Sequence, residues 1–140
     1  MKAYTDLEQN KKLAEILPIE SADHHYVRKT CDFMGNPVNG KWSEPKYGNP
    51  NSKHANYMVQ NFTSYEIIPC WSLAALIEQI PSDLGSAELT IEKNDSEPLK
   101  YGLNYHDRWG RETDIETKYY DNLVDACYEM ILKSNKEKLL

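Results

Sequence analysis

Cysteine is scarce in this 140-residue chain: Cys31, Cys70 and Cys127 are an odd number at wide spacing, with no C-x-x-C pair. Such a set cannot form a closed disulfide framework and fits reduced thiols, so a cytoplasmic setting is expected. Long apolar runs are missing too. The longest uncharged one, Ile67 to Ile77, falls well short of the roughly 20 residues that a membrane-crossing helix needs, and the opening MKAYTDLEQN has no secretion-signal core. Basic charge is outweighed, with 16 Lys and Arg against 22 Asp and Glu for a net charge of −6, so the summed field repels phosphate and anionic lipid. Nucleic-acid and membrane partners are thereby disfavoured. The phosphate-cradling loops G-x-G-x-x-G and Walker A and the nucleophile elbow G-x-S-x-G do not occur, so no cofactor is expected. His24, His25, Cys31, His54 and His106 offer no spacing that gives zinc two ligands from one element, and adjacent histidines on a strand point to opposite faces; no metal is expected.

What remains is an ordinary globular composition, 40% apolar and 27% charged, at a length suited to one core. The most structured stretch is IIPCWSLAALIEQIP, Ile67 to Pro81: Ser72 can cap a short helix, Leu73, Leu76, Ile77 and Ile80 form one stripe, and Pro81 forbids continuation. Thr5-Asp6-Leu7-Glu8 reads as a capping box opening a helix over about Asp6 to Leu17. Asn122 or Asp121 caps a last helix over about Leu123 to Lys136, with an apolar stripe at Leu123, Ala126, Cys127, Met130 and Ile131.

Strands are expected at His24 to Thr30, at Asn56 to Phe62 paired with it, at Ala87 to Lys93, at Leu99 to His106, and at Glu112 to Tyr119. Asp32 to Asn56 holds three Gly, three Pro and five Asn, which predicts a long loop that is functional, mobile, or hiding a short pairing around Lys41-Trp42. The whole, residues 1–140, predicts a single α+β domain of order α-β-β-α-β-β-β-α, a small antiparallel sheet of about 4–5 strands packed by 2–3 helices.

Aromatic residues are the one surplus: ten Tyr and three Trp. Trp42, Tyr47 and Tyr57 lie in or beside the long loop, and Arg108 and Trp109 at a hairpin tip; exposed residues of these types supply rigid contact area with a polar handle, so they are the candidate protein-interaction residues. The bland alternative is that they pack back on a thin core. For catalysis, Cys70 precedes the helix cap, where the dipole lowers a thiol pKa, so a cysteine enzyme pairing Cys70 with His106 or His54 is the alternative; flanked by Pro69 and Trp71, however, Cys70 also reads as a small buried hydrophobe. No catalytic residue is assigned. The order from the central helix onward is similar to that of the double-stranded RNA-binding domain, but Tyr120 to Asp125 stands where that module carries a lysine cluster. The edge at Glu112 to Tyr119 would allow a homodimer.

IPCWSLAALIEQIP resembles the I-P-A-x-[ST]-L-x-x-L-[LI]-x-x-[LI]-P helix of a group of small proteins found in gut-bacterial genomes and their phage or mobile elements. DNLVDACYEMILKSNKEKLL and TDLEQNKKLAEILPIES are similar to their closing and opening helices, whereas the loop from Asp32 to Asn56 has no counterpart. The group has no established activity, so the resemblance implies a compact α+β fold and a bacterial origin, and no catalytic residues.

Overall fold

The computed structural model describes residues 2–32, 34–50, 65–84, 87–94, 99–107 and 112–140, with only the backbone of 112–114. The fold is α+β: the described residues form three α-helices and two small antiparallel sheets. The strands divide between two sheets instead of joining one. The chain forms two compact units, Asp6–Ala75 and Leu76–Leu140 together with residues 1–5.

In the first unit, α1 (Leu7–Ala14) starts one residue later than the Thr5 box predicts. Asp6 is the cap: its Oδ1 accepts from the Gln9 amide at 2.9 Å, and Gln9 Oε1 accepts from the Asp6 amide at 3.1 Å. Two overlapping boxes are written in the sequence, and the one with the carboxylate, the stronger acceptor, forms while Thr5 is buried. Strand β1 (His24–Lys29) pairs with β3 (Tyr65–Cys70) over six rungs, from His24 opposite Cys70 to Lys29 opposite Tyr65. The sequence places this pairing at Asn56 to Phe62, which lies outside the described residues; β1's partner is instead the Ile67-Ile68 run. Short apolar runs do not distinguish strand from helix by period, and the β-branched pair followed by Pro69 resolves it toward extended backbone. On the other side of β1 lies β2 (Lys46–Tyr47), giving the order β2-β1-β3. Leu13, Leu17, Ala22, Cys70 and Trp71 are buried apolar side chains of this unit, and the Trp71 indole donates to Ser21 Oγ at 2.9 Å.

The helix α2 (Leu73–Gln79) begins at Ser72 as expected, with Ser72 Oγ accepting from the Ala75 amide at 3.3 Å. In the second unit the sheet order is β4 (Asp83–Leu84), β5 (Ala87–Asn94), β6 (Lys100–His106), β7 (Glu112–Glu116), all antiparallel. The two-residue β4 has no periodic signature and went unforeseen. Leu89 pairs with Tyr105 and Ile91 with Leu103, which sets the expected apolar residues opposite one another, but only Leu103 and Tyr105 are buried and Ile91 and Leu99 are exposed. The α3 helix (Leu123–Lys136) packs on β6 and β7, burying Val124, Ala126, Cys127, Met130 and Ile131. Val124 takes the inward place predicted for Leu123. Full burial of a Val, Met or Ile side chain stabilises the fold by about 1.5–3 kcal/mol. The Asn122 side chain accepts from the Asp125 amide at 2.8 Å, and Asp125 pairs with Lys2 at 2.7 Å.

Candidate functional site

Of the Asp32 to Asn56 stretch predicted as loop, the described residues up to Pro50, with Cys31 before them, are an arm lying along β1. Its backbone amides donate to β1 and its flanks in order: Val38 to the Thr30 carbonyl, Gly40 to Lys29, Ser43 to Val27, Gly48 to Asp23, at 2.8–3.2 Å. Eight residues, Asp23 to Thr30, thus face eleven, Val38 to Gly48, so the arm carries three extra residues that interrupt the ladder, as bulges do. The strand proper is Lys46–Tyr47, opposite His25 and His24, not Lys41-Trp42.

Each irregularity has its own support. A Cβ on Gly40 would collide with the Lys29 backbone carbonyl, so only glycine allows this close approach. Gly48, at φ +118°, turns the chain after Tyr47, and its carbonyl meets His25 Nδ1 at 2.9 Å. Ser43 Oγ accepts from the Val27 amide at 3.1 Å, and Asn49 Nδ2 donates to the Ile19 and Ala22 carbonyls at 2.9 and 2.6 Å. At the tip, Asp32 Oδ1 accepts from the amides of Met34 and Asn36, both at 2.9 Å. The Asn36 backbone bond, working against desolvation, leads the interactions that hold the Asp32 carboxyl below its ordinary range.

The arm's base is fixed by Asp23. Its two oxygens accept from the Ser72 amide at 2.9 Å and hydroxyl at 2.5 Å, and Oδ1 lies 3.0 Å from His24 Nδ1. Burial pushes the Asp23 pKa up, but the Ser72 bonds and His24 outweigh it and the net shift is downward.

This frame leaves apolar side chains in water. Met34 is 71% and Tyr47 86% exposed, with Val38 also exposed; the Tyr47 ring meets His24 edge-on, 5.4 Å between centroids. Trp42 is half-buried. The Arg28 guanidinium lies 5.0 Å from its ring centroid and pairs through Nε with Glu66 at 2.7 Å. Beside it a shallow groove of about 510 Å³ is lined by Asp6, Leu7, Glu8, Tyr26, Trp42 and Ser43. Burial, with Cys70 and Asp6 nearby, pushes the Tyr26 hydroxyl up to about 12, so it stays neutral.

Two of the five interaction candidates, Trp42 and Tyr47, are therefore brought to one arm; Tyr57, Arg108 and Trp109 lie outside the described residues, as does His54. Cys70 has no exposed surface, and neither does Cys127, whose thiol burial raises to about 12. Among the described residues no three His, Cys, Asp or Glu side chains gather where a metal ion could be held, and no helix is long and apolar enough to cross a membrane. At the β7 edge, the Glu116 carbonyl already accepts from Lys133 Nζ at 2.8 Å.

Sequence reasoning missed Arg28, Tyr26, Asp23 and Ser43, all placed by pairings distant in the chain. It also missed a polar cluster on the second sheet, where Glu92 accepts from Tyr119 OH at 2.5 Å and from Asn104 Nδ2 at 2.8 Å. Those two bonds, Tyr119 first, hold the Glu92 carboxyl below its ordinary range. The hydroxyl and amide already engage this carboxylate, which accounts for the cluster as structure. No protein-family model matches the chain, and neither a curated protein nor a solved structure matches it.

Proposed function

We propose that this chain is a non-catalytic binding protein that works by protein contact through the arm from Cys31 to Pro50. The observation that carries this is the pairing of exposed apolar side chains, Met34 and Tyr47, with a backbone hydrogen-bonded along β1. Side chains presented on an ordered frame lose little entropy on binding, which is what a contact surface requires. The three free cysteines support work in a reducing cytoplasm, and the resemblance of the helix motifs to small proteins of gut bacteria and their mobile elements supports a role as an accessory factor of such an element. For the alternatives, a Cys70 enzyme or a nucleic-acid module, no comparable observation speaks.

The test is capture from a bacterial lysate by the immobilised chain, against the double variant Met34→Ser, Tyr47→Ser. Proteins retained by the parent should be lost by the variant while its melting temperature is unchanged. Equal capture by both rejects the arm as the contact surface.

A further inference from the structure

We infer that the groove beside the arm receives a lysine or arginine side chain of the partner segment, an inference that rests on the protein-contact reading above. The groove has an apolar, aromatic wall, made by Leu7, Tyr26 and the Trp42 ring, and an acidic rim, made by Asp6 and Glu8. Among the described residues none that lines it is basic. Trp42 is already a cation platform within the molecule, since the Arg28 guanidinium lies 5.0 Å from its ring centroid with Glu66 balancing that charge. Arg28's charge is thus balanced; on the rim the Asp6 carboxylate caps α1, while the Glu8 side chain is 88% exposed with Lys11 at 3.8 Å. Aromatic face plus carboxylate is the combination that recognises an aliphatic stem ending in a cation, the stem covering the ring and the head reaching the acids. An acidic segment meets the opposite conditions, because the rim carboxylates and the net charge of −6 both repel it. A volume of about 510 Å³ accommodates one such side chain with its neighbouring backbone.

The experiment is fluorescence anisotropy of a labelled hexapeptide alternating leucine and arginine, titrated with the full chain, beside a twin peptide carrying glutamate for arginine. The arginine peptide should bind and the glutamate twin should not. Trp42→Ala should weaken binding about tenfold, with Trp42→Phe recovering part of it. Glu8→Lys, which also removes a first-turn acid of α1 and its Lys11 pair and so lowers the melting temperature slightly, should weaken it about fivefold at low salt, the difference vanishing near 0.5 M salt, at roughly half the physiological Debye length. No binding of the arginine peptide, equal binding of both peptides, or binding indifferent to Glu8→Lys and Trp42→Ala overturns the inference. Its failure is separable from that of the contact reading: capture that needs Met34 and Tyr47 but tolerates Glu8→Lys and Trp42→Ala sinks the groove alone, and peptide binding with capture indifferent to Met34 and Tyr47 sinks the arm alone.

Discussion

The β5–β6 hairpin and the hairpin of β1 with its arm are built by opposite means. In the first, seven consecutive rungs run from Glu88 opposite His106 to Asn94 opposite Lys100, and period-two alternation puts Leu103 and Tyr105 into the core. In the second, three extra residues disrupt the period, and the ladder is held by Gly40, Ser43, Asp23 and Asn49. Regular pairing carries Leu103 and Tyr105 into the core, whereas Tyr47 on the arm and Met34 at its tip stay exposed. The first device buries apolar side chains and the second leaves them exposed.

The contrast is sharpened by substitutions of graded cost. Leu103, 1% exposed, is the strongest case: Leu103→Ala should cost about 3 kcal/mol in urea unfolding, from lost transfer energy and the cavity left behind. Gly40→Ala should follow at about 2 kcal/mol, because the added methyl meets backbone that cannot move aside. Gly35→Ala, at φ +82° but in open space, should cost only about 1 kcal/mol, the left-handed penalty alone. If the two glycines prove equal, the arm is not pressed against Lys29.

Asp23→Asn should cost about 1 kcal/mol at neutral pH, its part exposure discounting the two Ser72 bonds, and should alter the acid limb of the stability profile. The folded-state carboxyl titrates below the ordinary aspartate value, so between the two pKa values the unfolded chain binds more protons. The Asp23 contribution is therefore complete above about pH 4 and is lost as pH falls through the lower folded value. The variant's acid limb should be flatter below that pH. Tyr47→Ser should be the smallest effect, under about 0.5 kcal/mol, because an exposed ring contributes little to folding. A large loss there would turn Tyr47 from a presented residue into a structural one.

What could be read from the chain follows the same division. The α3 boundaries, the Ser72 cap and the β5–β6 pair come from period and capping chemistry carried by neighbours in sequence. The arm did not, because each extra residue shifts the alternation and leaves a glycine-, proline- and asparagine-rich segment with no visible period. β3 was hidden inside a run read as the flank of a helix. Asp23 could not have been picked out at all, since its partner Ser72 is 49 residues away. Trp42 and Tyr47 were singled out through composition alone, and Arg28, which lies over Trp42, gave no local signal.

The arm is an ordered frame in the isolated chain, held along β1 by its backbone hydrogen bonds. Amide hydrogen exchange of the isolated chain at Val38, Gly40, Ser43 and Gly48 measures this directly. Protection at these four amides comparable to that of β1 is the predicted result; exchange at the rates of an unstructured peptide would contradict it.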